Sequence, residues 1–118
     1  MSDTATSTAE KVTWFEIPAT DTSKARDFYG RLFGWQFQPY EGQDYHMTYD
    51  ASGAINGAAE NAGTIVFFGA DDIDAALARV RELGGEAGEK QEIPGFSWAA
   101  YCKDLQGNNF GLSEGLAS

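Results

Sequence analysis

The chain has few of the residues that most metal sites and covalent cross-links require. Its 118 residues include one cysteine, one histidine and three prolines. A single cysteine excludes an internal disulfide and a thiolate metal cluster, and this cysteine usage predicts a cytoplasmic protein. A catalytic divalent metal takes about three protein ligands, so a site rich in histidine is excluded as well.

Positive charge and long apolar runs are also scarce. Eight Lys and Arg residues stand against 18 Asp and Glu, which gives a formal net charge of −10. Such a chain repels phosphate backbones and anionic lipids, so we expect neither nucleic acid nor a membrane as a partner. The longest apolar run, Trp98 to Cys102, falls far short of the roughly 20 residues that a membrane span needs. Residues 1–10 lack the charge and apolar core of a signal peptide and are predicted to be a flexible leader.

What the chain does contain is one pattern that occurs twice, about 51 residues apart. The repeated pairs are Ala25 and Ala76, Leu32 and Leu83, Gly34 and Gly85, and Asp21 and Asp72. Each set follows an apolar strand, and each aspartate stands where a helix would begin. The repeat predicts two copies of one unit within a single domain.

Each copy is predicted to contain a strand, a helix and three further strands. The predicted strands are 12–17, 35–38, 45–50 and 53–58 in the first copy, and 64–68, 86–90, 97–103 and 108–114 in the second. The first helix is predicted to bury Ala25, Phe28, Tyr29, Leu32 and Phe33. The fold class is therefore α+β, with one domain over residues 11–118 made of βαβββ modules at about 12–60 and 63–115.

Several short segments become distinctive when they are taken together. They are Trp14-Phe15-Glu16-Ile17-Pro18, Phe28-Tyr29, Leu32-Phe33-Gly34-Trp35, the helix from Asp72 to Gly85, Asp104-Leu105-Gln106-Gly107-Asn108 and Phe110-Gly111-Leu112. In this combination the chain, from Val12 to Glu114, resembles the vicinal oxygen chelate superfamily of glyoxalase I, extradiol dioxygenases, fosfomycin-resistance enzymes and bleomycin-binding proteins. It departs from the usual closing motif in having Leu105 where proline is common.

The resemblance implies that the paired βαβββ modules form a curled, cup-shaped mixed sheet with the helices on its outer face, commonly as a homodimer. In metal-dependent members the ligands stand on the first and last strands of each module. Those positions correspond to Trp14, Ile65 and Gly111 and to one residue of 53–58, where Asn56 has the only donor side chain. Because the first three cannot bind a metal, the resemblance implies a metal-free protein that needs no cofactor.

Two other sets of possible metal ligands compete with that expectation. His46 lies in a predicted middle strand, away from the inherited positions, and is expected to be a hydrogen-bonded or surface residue. A rearranged all-carboxylate site that draws on Glu16, Glu60 or Glu114 is the alternative.

Glu16 is the candidate catalytic residue, because it shares a strand face with Trp14. A carboxylate among aromatic side chains suits a general base or a counter-ion for a cationic ligand, and the alternative is a solvated strand residue. The predicted ligand-binding residues are Trp14, Glu16, Ile65, Phe67, Gly111 and, depending on register, Trp98 or Tyr101. Core packing is the competing interpretation of the aromatic residues, and alternation does not show which of Tyr45, Tyr49 and Tyr101 face inward.

Three hypotheses for function follow. The first is a metal-free protein that binds and sequesters a hydrophobic or cationic small molecule. The second is a glyoxalase-like lyase or isomerase that uses Glu16 as its base, although it would need other donors to stabilise an enolate. The third is a domain that serves assembly or regulation, with a filled cup.

Overall fold

A computed structural model describes residues 8–40, 42–49, 52–57, 63–94 and 96–115. The chain divides into two compact units: one is made of residues 14–65, and the other of residues up to 13 together with those from 66 onward. Strands and helices follow the predicted α+β order in both modules. The predicted leader lies outside the described residues up to residue 7, and residues 8–10 belong to the first strand. Neither helix of the described ranges is long and apolar enough to cross a membrane.

The described residues of the first module form four strands and one helix. They are β1 (Thr8–Pro18), α1 (Thr22–Phe33), β2 (Phe37–Pro39), β3 (Tyr45–Thr48) and β4 (Gly53–Asn56). The strand order is β2-β3-β4-β1, with β4 parallel to β1 and antiparallel to β3. The α1 helix begins where Asp21 accepts a hydrogen bond from the Lys24 amide, and it ends at Gly34, whose φ of 75° suits glycine.

The second module repeats this topology with one additional strand. Its elements are β5 (Ile65–Ala70), α2 (Ile73–Glu82), β6 (Glu86–Ala87), β7 (Gln91–Ile93), β8 (Ser97–Lys103) and β9 (Asn109–Gly115). The order is β5-β9-β8-β6 with β5 parallel to β9, and β7 also pairs with β8. Two carboxylates cap α2, since Asp72 accepts from the Ala75 amide and Glu114 accepts from the Ile73 amide at 2.8 Å.

A hydrophobic core lies between α2 and the sheet of the second module. Its buried members are Ala70, Ile73, Ala76, Leu77, Ala100, Cys102 and Leu112. Burial raises the pKa of the Cys102 thiol, which keeps it protonated and poorly nucleophilic at neutral pH. Cys102 is thus a free cysteine buried in the core.

The predicted core stripe of α1 is wrong in part. Phe28, Leu32 and Phe33 are 58%, 57% and 57% exposed. The helix instead turns Thr22 inward, which is 6% exposed, while Tyr29 stacks on Trp35. Apolar spacing identified the helix, but it could not identify which part of a wide apolar surface faces the sheet. The first module therefore presents apolar side chains on the outside of α1.

An aromatic ring lies over a glycine on the parallel strand pair of each module. Phe15 pairs with Gly53 and its ring covers that glycine, and Phe67 pairs with Gly111 in the same way. A Cβ atom added at either glycine would overlap the ring. These glycines are required because the partner ring occupies the volume of a side chain.

We expect Gly111→Ala to lower the free energy of unfolding by about 1–3 kcal/mol, because its methyl group would displace the buried Phe67 ring. Gly115→Ala is the matched control in the same strand, since an added Cβ there meets no atom within 4 Å. Urea unfolding monitored by circular dichroism measures both variants. Equal stabilities of the two variants would contradict the packing of Phe67 on Gly111.

Candidate functional site

The alternation of β1 separates its side chains into two groups. Trp14 and Glu16 share one face, and both are connected to Tyr45 of β3. Phe15, on the opposite face, packs on Trp35, which in turn stacks on α1. The prediction that Trp14 and Glu16 lie on the same face of β1 thus agrees with their hydrogen bonds to one hydroxyl, that of Tyr45.

Hydrogen bonds join four side chains of the first module, which we call the Glu16 cluster: Trp14, Glu16, Tyr45 and Asn56. The Trp14 indole N–H donates to the Tyr45 hydroxyl at 2.8 Å, and that hydroxyl donates to Glu16 Oε2 at 2.7 Å. The Asn56 amide donates to Glu16 Oε1 at 3.4 Å. Register accounts for this arrangement, because Tyr45 pairs with Asn56 across β3 and β4.

Glu16 is 6% exposed, so its carboxylate has lost most of its hydration. Burial of a carboxylate costs several kcal/mol unless hydrogen bonds replace the lost water. Tyr45 and Asn56 are neutral donors, so their bonds stabilise the carboxylate without cancelling its charge. An acidic group beside the Trp14 and Tyr45 rings can act as a hydrogen-bond acceptor, a counter-ion or a proton acceptor.

A second polar group lies beside the Glu16 cluster and is centred on Asp44. Thr22 donates to Asp44 Oδ1 at 2.7 Å, and the His46 ring nitrogen Nε2 lies 2.8 Å from the same oxygen. These hydrogen bonds, from Thr22 first and then from His46, hold the pKa of the Asp44 carboxyl below its usual value. His46 is therefore hydrogen-bonded, as its interpretation from the sequence expected.

The predicted site residues of the second module fall on both faces of its sheet. Phe67, Tyr101 and Gly111 lie together, with the Phe67 and Tyr101 rings 5.4 Å apart and Gly111 under Phe67. Trp98 instead packs against the core below α2, on the face of β8 opposite Tyr101. Register thus favours Tyr101 over Trp98 as a site residue. Ile65 is buried at the start of β5.

The inherited metal positions do not fit a metal. Glu16 and Phe67 hold the same position in the two modules. Register pairs Glu16 with Ala54 and Phe67 with Gly111, so Ala54, rather than Asn56, corresponds to Gly111. Neither Ala54 nor Gly111 has a donor side chain, and Trp14 and Ile65 supply no ligand atom. Within the described part of the chain, no group of three or more His, Cys, Asp or Glu could hold a metal ion.

The contacts of the described glutamates do not support the alternative carboxylate site. Glu114 caps the N-terminus of α2 through the Ile73 amide. Glu16 is bonded within its own cluster, and Glu60 lies outside the described residues. Of the three candidate ligands, the two that the structure describes thus have separate roles.

Sequence reasoning did not identify two of the polar residues at this site. Tyr45 was one of three tyrosines that alternation could not orient, and Asp44 lay between the predicted strands 35–38 and 45–50. The pairing of residues across β3 and β4 could have identified Tyr45. Once Tyr45 is placed opposite Asn56, its hydroxyl and the Asn56 amide point to the same face of the sheet.

Comparisons with known proteins agree with this fold. A profile of the bleomycin resistance protein-like N-terminal family matches residues 11–48. A glyoxylase-like domain-containing protein from Didymella fabae is 32% identical over 89 residues, which are 64% of this chain and 70% of that protein.

Solved structures extend the similarity to nearly the whole chain. A glyoxalase/bleomycin resistance protein/dioxygenase superfamily member from Vibrio splendidus superposes with a TM-score of 0.68 at 16% identity, covering 90% of this chain and 99% of that one. A methylmalonyl-CoA epimerase from Mycobacterium tuberculosis superposes with a TM-score of 0.66 at 14% identity, covering 98% and 94%. At these identities the similarity shows a shared fold.

We expect Tyr45→Phe to lower the free energy of unfolding by about 1–3 kcal/mol, because it removes a donor from buried Glu16 and the acceptor of the Trp14 indole. Tyr49→Phe is the matched control, since its hydroxyl bonds Gln38 on the surface and its side chain is 61% exposed. Urea titration should show a change below about 0.5 kcal/mol for the control. Similar losses in both variants would contradict a buried Glu16 cluster.

Proposed function

The chain belongs to the glyoxalase/bleomycin resistance/dioxygenase superfamily, and from that premise we propose that it is a metal-free protein that binds a hydrophobic, preferably cationic, small molecule. One observation carries the proposal: a buried carboxylate, Glu16, lies among the Trp14 and Tyr45 side chains. Aromatic faces attract cations through their quadrupoles, and a carboxylate in the same place adds a full negative charge. The net charge of −10 favours the approach of cations over longer distances.

The second module supports an aromatic ligand through a separate contact. Tyr101 is 44% exposed and meets the buried Phe67 ring at a steep angle of 67°. Aromatic walls with few polar groups are typical of small-molecule sites. We propose Phe67, Tyr101 and Gly111 as a binding surface of the second module by itself, we keep Ile65 as a candidate at the start of β5, and we leave out Trp98 because it packs in the core below α2.

Binding is tested with three probes of similar size: benzyltrimethylammonium, benzyl alcohol and phenylacetate. We expect the cation to bind most tightly and the anion least, measured by isothermal titration calorimetry and by tryptophan fluorescence. Glu16→Gln keeps an acceptor oxygen but removes the charge, so it should weaken binding of the cation about tenfold and binding of the alcohol less than twofold.

The control for bulk charge is Glu82→Gln on the surface of α2, whose side chain is 65% exposed. This variant should leave all three affinities unchanged, because exposed charges are screened by salt. Metal analysis of protein purified without chelator completes the test. Stoichiometric nickel, zinc, iron or manganese, or equal binding of cation and anion, would contradict the proposal.

Proton abstraction is the second candidate function, and one contact favours it. The Tyr45 hydroxyl lies 2.7 Å from Glu16 Oε2, which pairs a carboxylate base with a phenol that can exchange protons. Among the fold neighbours are methylmalonyl-CoA epimerases. Deuterium incorporation into methylmalonyl-CoA in D2O, lost in Glu16→Gln, would favour this lyase or isomerase class. A wild-type protein that catalyses no exchange would favour binding alone.

We also propose that the chain forms a homodimer. The exposed Phe28 and Leu32 of α1 form an apolar surface of the kind that marks protein contacts. Sedimentation velocity should show a dimer for the wild type and a monomer for the double variant Phe28→Ser, Leu32→Ser. A monomeric wild type at micromolar concentration would contradict this proposal.

A further inference from the structure

Asp44 is the residue through which β3, β4 and α1 of the first module are tied together. Its backbone carbonyl accepts a hydrogen bond from the Gly57 amide at 2.8 Å. Its carboxylate binds Thr22, the first residue of α1, and His46 of β3. One residue thus contacts the start of a helix and the ends of two strands.

The position of Asp44 in the chain gives these contacts a direct link to the Glu16 cluster. Asp44 immediately precedes Tyr45, and Gly57 immediately follows Asn56. Tyr45 and Asn56 pair across β3 and β4, and both donate to Glu16. The bond between Asp44 and Gly57 therefore closes the strand pair next to both donors.

The Asp44 side chain is 57% exposed, and its carboxylate lies against the backbone of Gly57. A Cβ atom added at Gly57 would overlap this carboxylate and would lie 3.0 Å from the Thr22 side chain. Thr22 is buried, so its hydroxyl has little access to water and depends on Asp44 as its acceptor. The low pKa of the Asp44 carboxyl agrees with an ionised acceptor of these bonds.

We propose that Asp44 is a positioning residue for the ligand site: by tying Thr22 and His46 to the ends of β3 and β4, it holds the Tyr45 hydroxyl and the Asn56 amide on Glu16. Asp44 does not touch the ligand in this scheme. Its effect on affinity rests on the proposed binding function, whereas its effect on the Glu16 cluster exists in the free protein. The two effects are therefore measured separately.

The first measurement uses the ligand-free protein. The indole N–H of Trp14 donates to Tyr45, so its peak in a ¹H–¹⁵N correlation spectrum reports the position of the Tyr45 hydroxyl. Trp14→Phe identifies this peak among those of the three tryptophans. We expect Asp44→Ala to shift or broaden the peak, and Asp44→Asn, which keeps the acceptor oxygen, to restore it close to the wild-type position.

The second measurement is the affinity for benzyltrimethylammonium. Asp44→Ala should weaken it about tenfold, the size of one misplaced hydrogen bond to a charged group, and Asp44→Asn should recover most of the loss. Gly57→Ala displaces the Asp44 carboxylate without removing it and should act like Asp44→Ala. If Asp44→Ala does not fold, Gly57→Ala and Asp44→Asn decide the question.

Asp27→Ala is the matched control, because Asp27 is an exposed aspartate on α1 that bonds Arg31. It should leave the Trp14 peak and the affinity unchanged. A folded Asp44→Ala or Gly57→Ala variant with the Trp14 peak at its wild-type position overturns the positioning role. If the wild type binds none of the probes and the peak still moves, the binding function fails and the positioning role stands.

Discussion

The buried carboxylate of Glu16 constrains the rest of the first module. A carboxylate that is 6% exposed must have hydrogen-bond donors, and these come from Tyr45 on β3 and Asn56 on β4. The two strands can supply them only if Tyr45 and Asn56 lie opposite each other, as the observed register places them. A slip of one residue would turn Tyr45 to the other face and leave Glu16 without that donor. The buried Glu16 carboxylate thus favours one register of β3 and β4, which apolar packing alone specifies less strongly.

The two modules share a topology but place different chemistry at matched positions. Counting from the helix caps Asp21 and Asp72, Glu16 of β1 corresponds to Phe67 of β5. Glu16 pairs with Ala54 and Phe67 pairs with Gly111, so a small residue stands beside each. In the second module the ring fills the space above the glycine, whereas in the first the space holds a carboxylate and its donors. One module is polar and the other apolar at the same point of the fold.

Local signals in the sequence predicted the architecture. Both helix starts were predicted from aspartates, whose preference for the first position of a helix is strong, and the structure confirms them. The inward face of α1 was predicted wrongly, because Phe28 and Leu32 extend an apolar surface wider than the sheet covers. The choice between Trp98 and Tyr101, and the orientation of Tyr45, depended on cross-strand register. Register is set by contacts between distant residues, which a pattern within one segment does not contain.

The proposed binding of a cation needs a source of attraction other than metal ligands, because the positions that bind a metal in related proteins are occupied by Trp14, Ile65 and Gly111. In a metal site, the positive charge of the ion and the negative charge of its carboxylate ligands attract each other. A site whose residues have no ligand atoms does not attract a metal ion in this way. Glu16 lies two residues beyond Trp14 on the same face of β1, so negative charge remains next to the inherited position. Tyr45 and Asn56 stabilise this charge through neutral donors, so these two hydrogen bonds do not cancel it. We therefore propose that an organic cation pairs with this charge without any ligand bond, and the aromatic rings beside Glu16 favour such a cation.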